Sequence, residues 1–301
     1  MISSLRLPNL FHGFVCLAFI CPSLMANELD LRLGLESVYQ EWRSALLARN
    51  LTAWRTCTTT YRQVLTRNLI VSQKQRYPDA VFALPVTPPD VRKLALMEVE
   101  AVGETAHLIY FGKIDLGLSD GEVGEVPDNL IVLKFFSEQG QWKFDSSKFL
   151  NLADNPDLRA ACARGDKEWA KHPPFNPPGK APAVPKVCKE PEKISALRVQ
   201  AYGYQVLASV NGYENTPIID SAEQQLIIGG LQRGENALQL QVKELPIEKD
   251  DERFLQVEAV LLTNDQAKPT VRVFEWTPKV QPVPPVVSLT ITINNLTQKG
   301  I

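Results

Sequence analysis

The sequence has little of the material from which catalytic and metal sites are most often built. It contains three histidines in 301 residues, and one of them, His12, lies close to the N terminus. No Cys-x-x-Cys or His-x-x-x-His spacing occurs, which argues against a zinc site with those ligands. A glycine-rich phosphate-binding loop is also missing, so the sequence lacks the usual motif of nucleotide-binding proteins. We therefore predict neither a metal nor a cofactor.

The chain also lacks an excess of charge and a second long apolar run. Its 32 Lys and Arg residues against 34 Asp and Glu residues give a formal charge of −2, and both signs are spread along the length. No basic stripe is present to follow a phosphate backbone, so nucleic acid is not an expected partner. Beyond the N terminus no apolar segment approaches the ~20 residues of a membrane-spanning helix. A stable membrane span is therefore not predicted.

The first 26 residues have the order of a secretory signal. Arg6 precedes an apolar run over residues 11–20, and a short tail ends at Ala26. The run is too short to remain as a membrane anchor, so we predict cleavage after Ala26. Cleavage removes Arg6 and no acidic residue, which leaves 31 basic against 34 acidic side chains and a formal charge of −3. The sequence thus predicts a secreted or periplasmic protein.

Three cysteines remain once this leader is removed. Cys57 lies on the apolar face of a predicted helix and is interpreted as a small core residue. Cys162 and Cys188 flank a proline-rich stretch, and a bridge between them would stabilise the fold by about 3 kcal/mol in the chain-entropy description. Because disulfides are common in exported proteins, this bridge is one of two alternatives, the other being three free thiols.

The proline-rich stretch divides the chain. Seven of the nineteen residues in 173–191 are proline, and such a run lacks backbone donors and favours extended geometry. We predict a short helix with Asn155 as its N-cap and Pro156 as its first residue, followed by a semi-rigid spacer. A ligand for an aromatic groove is the other interpretation of the prolines. The predicted organisation is a leader at 1–26, a first module at 28–152, a linker at 153–191 and a second module at 192–301.

The first module is predicted to begin with two helices. Apolar residues at i, i+3 and i+4 spacing form one stripe through Trp42 and Leu46, and the same period runs from Trp54 to Leu69. Asn50 suits the end of the first helix, and Thr52 is placed to cap the second.

Two β-hairpins are predicted to follow the helices. The first joins strands 94–102 and 105–114 through Gly103, and the second joins strands 130–136 and 142–145 through a loop that contains Gly140. Phe136 is then expected to pair with Trp142. In the first hairpin the register places six side chains on one face: Met97, Val99, Ala101, Ala106, Leu108 and Tyr110.

This order of elements resembles a known family. Two long helices, the helix pattern around Trp42, and a curled antiparallel sheet with a last hairpin ending in Gly-Gln-Trp-Lys-Phe-Asp at 140–145 are similar to the nuclear transport factor two-like domains. The resemblance implies a cone-shaped, cystatin-like α+β fold. The family includes isomerases, dehydratases and binding proteins, and in its enzymes a His–Asp pair inside the cone often does the chemistry. We cannot place such a pair on this sequence.

The second module is predicted to consist of strands throughout. About seven short strands with Asn-Gly and Gly-Gly turns favour an antiparallel β-sandwich. The segments Ser-Val-Asn-Gly-Tyr-Glu at 209–214 and Leu-Gln-Arg-Gly-Glu-Asn at 231–236 resemble the strand–turn–strand rhythm of immunoglobulin-like and jelly-roll accessory domains. That resemblance implies a domain that flanks an exported enzyme or binds an envelope glycan. The predicted strands are 194–201, 204–210, 224–228, 237–242, 254–262, 270–276 and 286–293.

His107 is the best single catalytic candidate. The hairpin register pairs it with Glu100, an arrangement in which a carboxylate orients a base. The same register places both residues on the face opposite Leu108 and Tyr110. If that apolar face packs on the helices, His107 and Glu100 form a solvated cross-strand pair, and this is the interpretation we favour.

Two sets of side chains are candidates for binding. In the first module, Tyr61 and Arg62 on the second helix, with Tyr110 on the sheet, are placed to line a pocket in the cone. The alternative is that the two tyrosines are core-edge residues and Arg62 faces water.

In the second module, Tyr202, Tyr204 and Tyr213 are candidates for an aromatic platform that receives a sugar. Amphipathic rings suit such recognition, and Tyr202 and Tyr204 share a strand face by parity. The alternative is that these rings fill the core of the sandwich.

The sequence therefore predicts an α+β cone-like N-terminal domain, with helices packed on a curled antiparallel sheet, followed by an all-β sandwich domain. Because no acid, base, nucleophile or ligand set converges, our leading hypothesis is an exported, non-catalytic binding or scaffolding protein of the cell envelope. An isomerase or hydrolase of the cone fold acting on a small molecule, and a glycan-binding accessory protein, are the alternatives. The expected partner is an envelope glycan or another exported protein.

Overall fold

The computed structural model describes residues 22–115, 126–171, 175–247, 252–263 and 265–294. Within these ranges the chain forms four α-helices and three antiparallel sheets, and more residues lie in strands than in helices. It is therefore a mixed α/β protein rich in strands. The leader predicted for the first 26 residues lies mostly outside the described ranges and stays a prediction.

Side chains close to the helix ends set where the helices begin. Asn155 caps the last helix as predicted, because its Oδ1 accepts from the backbone N–H of Leu158 at 3.1 Å and Pro156 follows it. The cap of the second helix is Asn50 rather than Thr52, since Asn50 Oδ1 accepts from the N–H of Ala53 at 3.1 Å. The helices are α1 (Pro22–Leu47), α2 (Leu51–Cys57), α3 (Thr60–Ser72) and α4 (Pro156–Ala163).

The continuous helix predicted from Trp54 to Leu69 is wrong, because Thr58 and Thr59 interrupt it. Both residues are extended, and Thr58 forms a parallel bridge with Phe144 of the sheet. Thr59 then caps α3 by accepting from the N–H of Arg62 at 3.0 Å. Contacts with a distant strand therefore break a helix that the local period would continue.

The first sheet, which we call sheet 1, contains four strands in chain order. A bulge in its first strand overturns part of the predicted register: Leu96, not Met97, lies opposite Tyr110. Met97 is turned to the other face of the sheet, where it packs with Ile109. The strands are β1 (Ala95–Val102), β2 (Thr105–Lys113), β3 (Asp128–Glu138) and β4 (Gln141–Asn151).

The β3–β4 hairpin is also shifted by one residue from its predicted pairing. Phe136 lies opposite Lys143, and Trp142 lies opposite Ser137. The cause is a tighter turn: Gln139 and Gly140 both have positive φ, at 54° and 77°, and make a two-residue connection. Gln139 is a side chain that sequence statistics do not favour at such a position.

The two faces of sheet 1 bury separate hydrophobic clusters. The inner face packs against α1, whose Leu35 and Tyr39 are fully buried there with Leu108. The outer face is covered by α4 and by a short 3-10 helix, Glu168–Lys171, which contributes Trp169. Both faces are therefore used for packing, which removes the solvated face that sequence alone favours.

The C-terminal part contains two further sheets. Sheet 2 has the order β13-β10-β6-β7, with β8 also paired to β6, and sheet 3 has the order β12-β11-β5-β9. All seven predicted strands are confirmed within a few residues, whereas β7 and β8 were missed because two residues are too few to show alternation. The strands are β5 (Ser195–Tyr202), β6 (Tyr204–Val210), β7 (Tyr213–Glu214), β8 (Ile218–Ile219), β9 (Ala222–Leu226), β10 (Gly234–Glu244), β11 (Phe254–Leu262), β12 (Thr270–Trp276) and β13 (Val286–Ile293).

Sheets 2 and 3 bury one common cluster. Val199 and Val257 of sheet 3 belong to the same cluster as Val206 and Leu240 of sheet 2, and all four are fully buried. The clusters of sheet 1 share no member with it. None of the described helices is long and apolar enough to cross a membrane.

Residues 179–193, which we call the proline strap, are bound to both parts of the chain. At the first end Gly179 donates its N–H to Thr105 Oγ1 at 2.8 Å and accepts from the N–H of Glu104 at 2.8 Å. Gly103 must be glycine here, because its φ is +55° and a Cβ would collide with the carbonyl oxygen of Gly179.

At the other end the strap is held by α3. Asn68, which is almost fully buried, donates to the carbonyl of Lys186 at 2.7 Å and accepts from the N–H of Cys188 at 2.9 Å. Lys193 then forms a β-bridge with Leu231. The proline strap is therefore packed against the rest of the protein, whereas the sequence favoured a plain spacer.

Candidate binding cleft

His107 lies in the interior of the protein rather than on a solvated face. Its register opposite Glu100 is confirmed, but only 3% of its surface is exposed, because α4 and the 3-10 helix cover this side of sheet 1. Burial, together with Lys134 on the neighbouring strand, lowers the pKa of His107 to about 4. No hydrogen bond or ion pair joins it to Glu100 among the described residues, and its Nε2 has no partner. The pair is therefore not arranged as an oriented base.

The burial of His107 predicts a specific pH dependence of stability. Its folded pKa of about 4 lies below the unfolded value near 6.5, so the unfolded chain binds the proton more tightly. The free energy of unfolding should fall by about 2–3 kcal/mol as the pH drops from 7.5 to 4.5, in addition to all other titrations. Urea unfolding of wild type and His107→Leu at both pH values measures this contribution of His107 to the free energy of unfolding, because the variant has no imidazole to protonate. Equal pH dependence of the two proteins would contradict the assignment.

Tyr110 does not line the cavity that Tyr61 and Arg62 line. It is fully buried in the inner-face cluster, where its hydroxyl donates to Glu36 Oε1 at 2.6 Å and burial raises its pKa. The space beside it is filled by rings: the centroids of Trp42 and Phe144 are 4.1 Å apart, and Tyr39 lies 5.6 Å from Trp42. The predicted grouping of Tyr61, Arg62 and Tyr110 is therefore wrong, because Tyr110 packs in the inner-face cluster whereas Tyr61 and Arg62 line another cavity.

Arg62 is held at the start of α3 by a buried carboxylate. Its Nη2 lies 3.1 Å from Oδ2 of Asp145, whose side chain is only 3% exposed. Asp145 also accepts from Thr59 Oγ1 at 2.9 Å and from Ser146 Oγ at 2.7 Å. These bonds fix the first turn of α3, and with it Tyr61, against β4. Arg62 and Tyr61 consequently face a space outside the interior of sheet 1.

That space is a cleft between α3, the proline strap and the edges of sheets 2 and 3. It consists of two adjoining cavities of about 600 Å³ and about 340 Å³. Both are lined by Tyr61, Leu65, Glu214 and Ile228. We call the two together the strap cleft. The smaller cavity is completed by Asn68, residues 182–186 of the strap, Gly212 and Tyr213. The larger is completed by Arg62, Leu69, Leu207, Asn215, Thr216, Pro217, Gln225 and Leu226.

Side-chain amides form the polar part of the larger cavity. Asn215 donates from Nδ2 to the carbonyl of Leu226 at 3.3 Å, and Gln225 donates from Nε2 to the carbonyl of Thr216 at 3.0 Å. These two bonds join the segment after β7 to β9, so that the edges of sheets 2 and 3 meet in the cleft. Leu65 provides an apolar surface on the opposite wall.

Two polar atoms of the cleft residues are left without a partner. Nε of Arg62 and Oδ1 of Asn215 are both buried and accept or donate no hydrogen bond. An unsatisfied buried group costs about 1–3 kcal/mol. One atom is a donor and the other an acceptor, and they belong to opposite walls.

The tyrosine platform predicted in the second module is not formed. Tyr204 is fully buried and donates its hydroxyl to Gln281 Oε1 at 3.1 Å, whereas Tyr202 is exposed. Gly203, at a φ of +74°, carries the chain from sheet 3 to sheet 2 between them, so strand parity does not apply. Tyr213 lies apart at the strap cleft, where its hydroxyl donates to the carbonyl of Val187 at 3.3 Å.

The predicted Cys162–Cys188 bridge is absent, and both residues are free, buried thiols. Cys162 belongs to the outer-face cluster of sheet 1. Cys188 lies instead against α3, where its Sγ is 3.7 Å from Ser72 Oγ. The strap carries it away from α4 into another packing environment. Cys57 is a buried core residue, as predicted.

The described residues contain no cluster of metal-ligating side chains. The described ranges contain no group of three or more His, Cys, Asp or Glu side chains placed to hold a metal ion. Residues 117–121, Gly-Leu-Ser-Asp-Gly, match the Gly-x-Ser-x-Gly pattern but lie outside the described residues.

The sequence found three residues of the strap cleft, Tyr61, Arg62 and Tyr213, but assigned them to two different sites. It missed Leu65, Glu214 and the amides, because nothing in a local pattern brings α3 next to β7 and β9. The proline-rich run was the one available signal, since its prolines close the smaller cavity. Comparisons with protein family models, with curated proteins and with solved structures found no match to this chain.

Proposed function

We propose that this chain is an exported, non-catalytic binding protein of the cell envelope, and that its strap cleft holds an extended peptide segment of another exported protein. The observation that carries the proposal is the cleft itself, about 600 Å³ in its larger part, with aliphatic walls and amides at two sheet edges. Binding sites for small ligands are usually pockets of this size that are mostly apolar and contain a small number of precisely positioned polar groups.

An extended peptide suits the cleft for two reasons. Its alternate side chains enter apolar pockets, which Leu65, Leu226 and Ile228 supply. Its backbone offers N–H and C=O groups in turn, which suit the side-chain amides of Asn215 and Gln225 in the lining of the larger cavity. Sheet edges such as β7 and β9 are places where an added strand finds backbone partners.

We propose the finer architecture as the resemblance implies it: a nuclear transport factor two-like domain at 28–152 and a β-sandwich domain at 192–301. The packing of α1 on the inner face of sheet 1 supports the first, and the cluster shared by sheets 2 and 3 supports the second. The interior of the first domain is filled by rings, so we do not propose the alternative of an isomerase or hydrolase acting there.

Export is part of the same proposal. Removal of the leader after Ala26 would leave α1 starting near Asn27, with Glu28 and Asp30 in its first turn. Carboxylates at that end interact favourably with the helix dipole, by about 0.3–1 kcal/mol each. After the predicted cleavage, α1 would therefore begin with acidic residues that stabilise its N-terminal end.

Selection from a phage-displayed library of random peptides tests the function of the cleft. The enriched peptides are expected to share a large apolar side chain, and each is then synthesised and titrated against the purified chain. Leu65→Asp places a carboxylate beside Glu214 and removes an apolar contact, so affinity should fall about tenfold or more.

Leu84→Asp is the matched control. Leu84 is exposed and lines neither cavity of the cleft, so this variant should bind as the wild type does. If no peptide is enriched, or if the enriched peptides bind both variants equally well, the cleft is not a peptide site and the proposal is overturned.

A further inference from the structure

Two exposed rings lie side by side on the solvent face of sheet 3. Tyr202, at the end of β5, is directly opposite Phe254, at the start of β11. The residues are 45% and 44% exposed, while their neighbours Ala201 and Leu255 are buried. Directly opposed residues have Cβ atoms about 5 Å apart. The two residues therefore present exposed aromatic rings at neighbouring positions on the surface.

Beside the rings the same face carries a row of bonded amides. Gln200 and Gln256 are the next opposed pair, about 7 Å further along the strands. Gln200 Nε2 donates to Gln256 Oε1 at 3.2 Å, and Gln256 Nε2 donates to Glu275 Oε1 at 2.8 Å. The amides are therefore held in fixed positions by their neighbours.

A third row continues the pattern with charged groups that compensate one another. Arg198 is opposite Glu258 and donates from Nε to Gln224 Oε1 at 2.8 Å. Arg272 lies 2.8 Å from a carboxylate oxygen of both Glu258 and Glu275. Two guanidinium groups thus face two carboxylates. We call this surface, from Tyr202 and Phe254 to the third row, the ladder face.

We propose that the ladder face binds a neutral polysaccharide chain. One sugar ring lies against Tyr202 and Phe254, and the hydroxyl groups of the following sugars bond to Gln200, Gln256 and Glu275. This is a second binding surface, separate from the strap cleft, and it does not depend on a ligand there.

The chemistry of the face selects this class of ligand. A sugar ring has an apolar face for aromatic rings and a border of hydroxyls, each of which donates and accepts. Because the ladder side chains already hold one another, binding immobilises few additional rotamers. The balanced charges give no attraction for a polyanion. Two half-exposed rings are also far smaller than the about 800 Å² per partner of a stable protein interface.

Affinity electrophoresis of the purified chain tests the proposal. The gels contain soluble β-1,3-glucan, xyloglucan, galactomannan or starch as neutral probes, and alginate or heparin as anionic ones. At least one neutral polysaccharide should retard the protein. Tyr202→Ala and Phe254→Ala should each weaken the affinity behind that retardation about tenfold, because each removes an aromatic ring that packs against the sugar.

Three controls separate this site from folding and from the cleft. Tyr202→Phe keeps the ring and should keep most of the binding. Tyr213→Ala is the same truncation at the strap cleft and should leave polysaccharide binding unchanged, as should Leu65→Asp. The proposal is overturned if no neutral polysaccharide retards the protein, even if an anionic one does. It is also overturned if wild type and Tyr202→Ala are retarded equally. Both outcomes are independent of the peptide selection.

Discussion

Replacing Asp145 with alanine is expected to lower the free energy of unfolding by about 3–5 kcal/mol. The carboxylate is only 3% exposed and accepts from Arg62 at 3.1 Å, from Thr59 at 2.9 Å and from Ser146 at 2.7 Å. Its removal leaves the partly buried guanidinium of Arg62 without its counter-charge, and the hydroxyl donors of Thr59 and Ser146 without this acceptor. Urea denaturation followed by circular dichroism measures the loss.

Asp79→Ala is the matched control for this prediction. Asp79 pairs with Arg76 at 3.2 Å, nearly the same distance, but 66% of its side chain is exposed. An exposed pair contributes at most about 1 kcal/mol. Asp145→Asn keeps the shape and one acceptor, so it should lose less than the alanine variant. Similar losses for Asp145→Ala and Asp79→Ala would mean that the buried network does not fix α3.

Replacing Phe144 with alanine is expected to cost about 3–5 kcal/mol, which is the range for a buried phenylalanine. Phe144 is almost fully buried, and its ring lies 4.1 Å from Trp42, 5.4 Å from Tyr39 and 5.7 Å from Phe135 between ring centroids. Its loss would open a hollow lined by aromatic side chains in the interior of sheet 1. Thermal or urea unfolding measures the cost.

The hollow provides a second measurement on the same variant. Engineered apolar cavities stay dry and bind small aromatic molecules. Benzene or indole should therefore raise the melting temperature of Phe144→Ala and leave that of the wild type unchanged. Phe254→Ala is the control truncation at an exposed position and should cost below about 1 kcal/mol. A small cost for Phe144→Ala, or ligand stabilisation of the wild type, would show that the interior is not filled.

These two residues are neighbours on β4 and act on different parts of the structure. Phe144 packs with Trp42 in the cluster on the inner face of sheet 1. Asp145, the next residue, points to the other side and positions α3 with Tyr61 and Arg62 at the strap cleft. One strand, β4, therefore fills part of the interior through Phe144 and holds α3, a wall of the strap cleft, through Asp145.

The candidate sites were only partly predictable. Tyr202 was named from the sequence, but its partner is Phe254 and not Tyr204, because Gly203 moves the chain between two sheets. His107 and Glu100 were paired correctly, since hairpin register follows from turn length. The burial of His107 was not predicted, because α4 and Trp169 come from about fifty residues or more further along the chain.

The sequence by itself determined the positions of the seven longer C-terminal strands, the start of α4 at Asn155 and Pro156, and a core role for Cys57. Alternation, capping and helical spacing involve residues that are close together along the chain, so they can be recognised in the sequence without a structure. Only the tertiary structure decided that the strap packs on Asn68, that Cys188 lies far from Cys162, and which rings are exposed. Those outcomes depend on which faces of distant elements meet, and that choice is made by the total packing of the chain rather than by any local pattern.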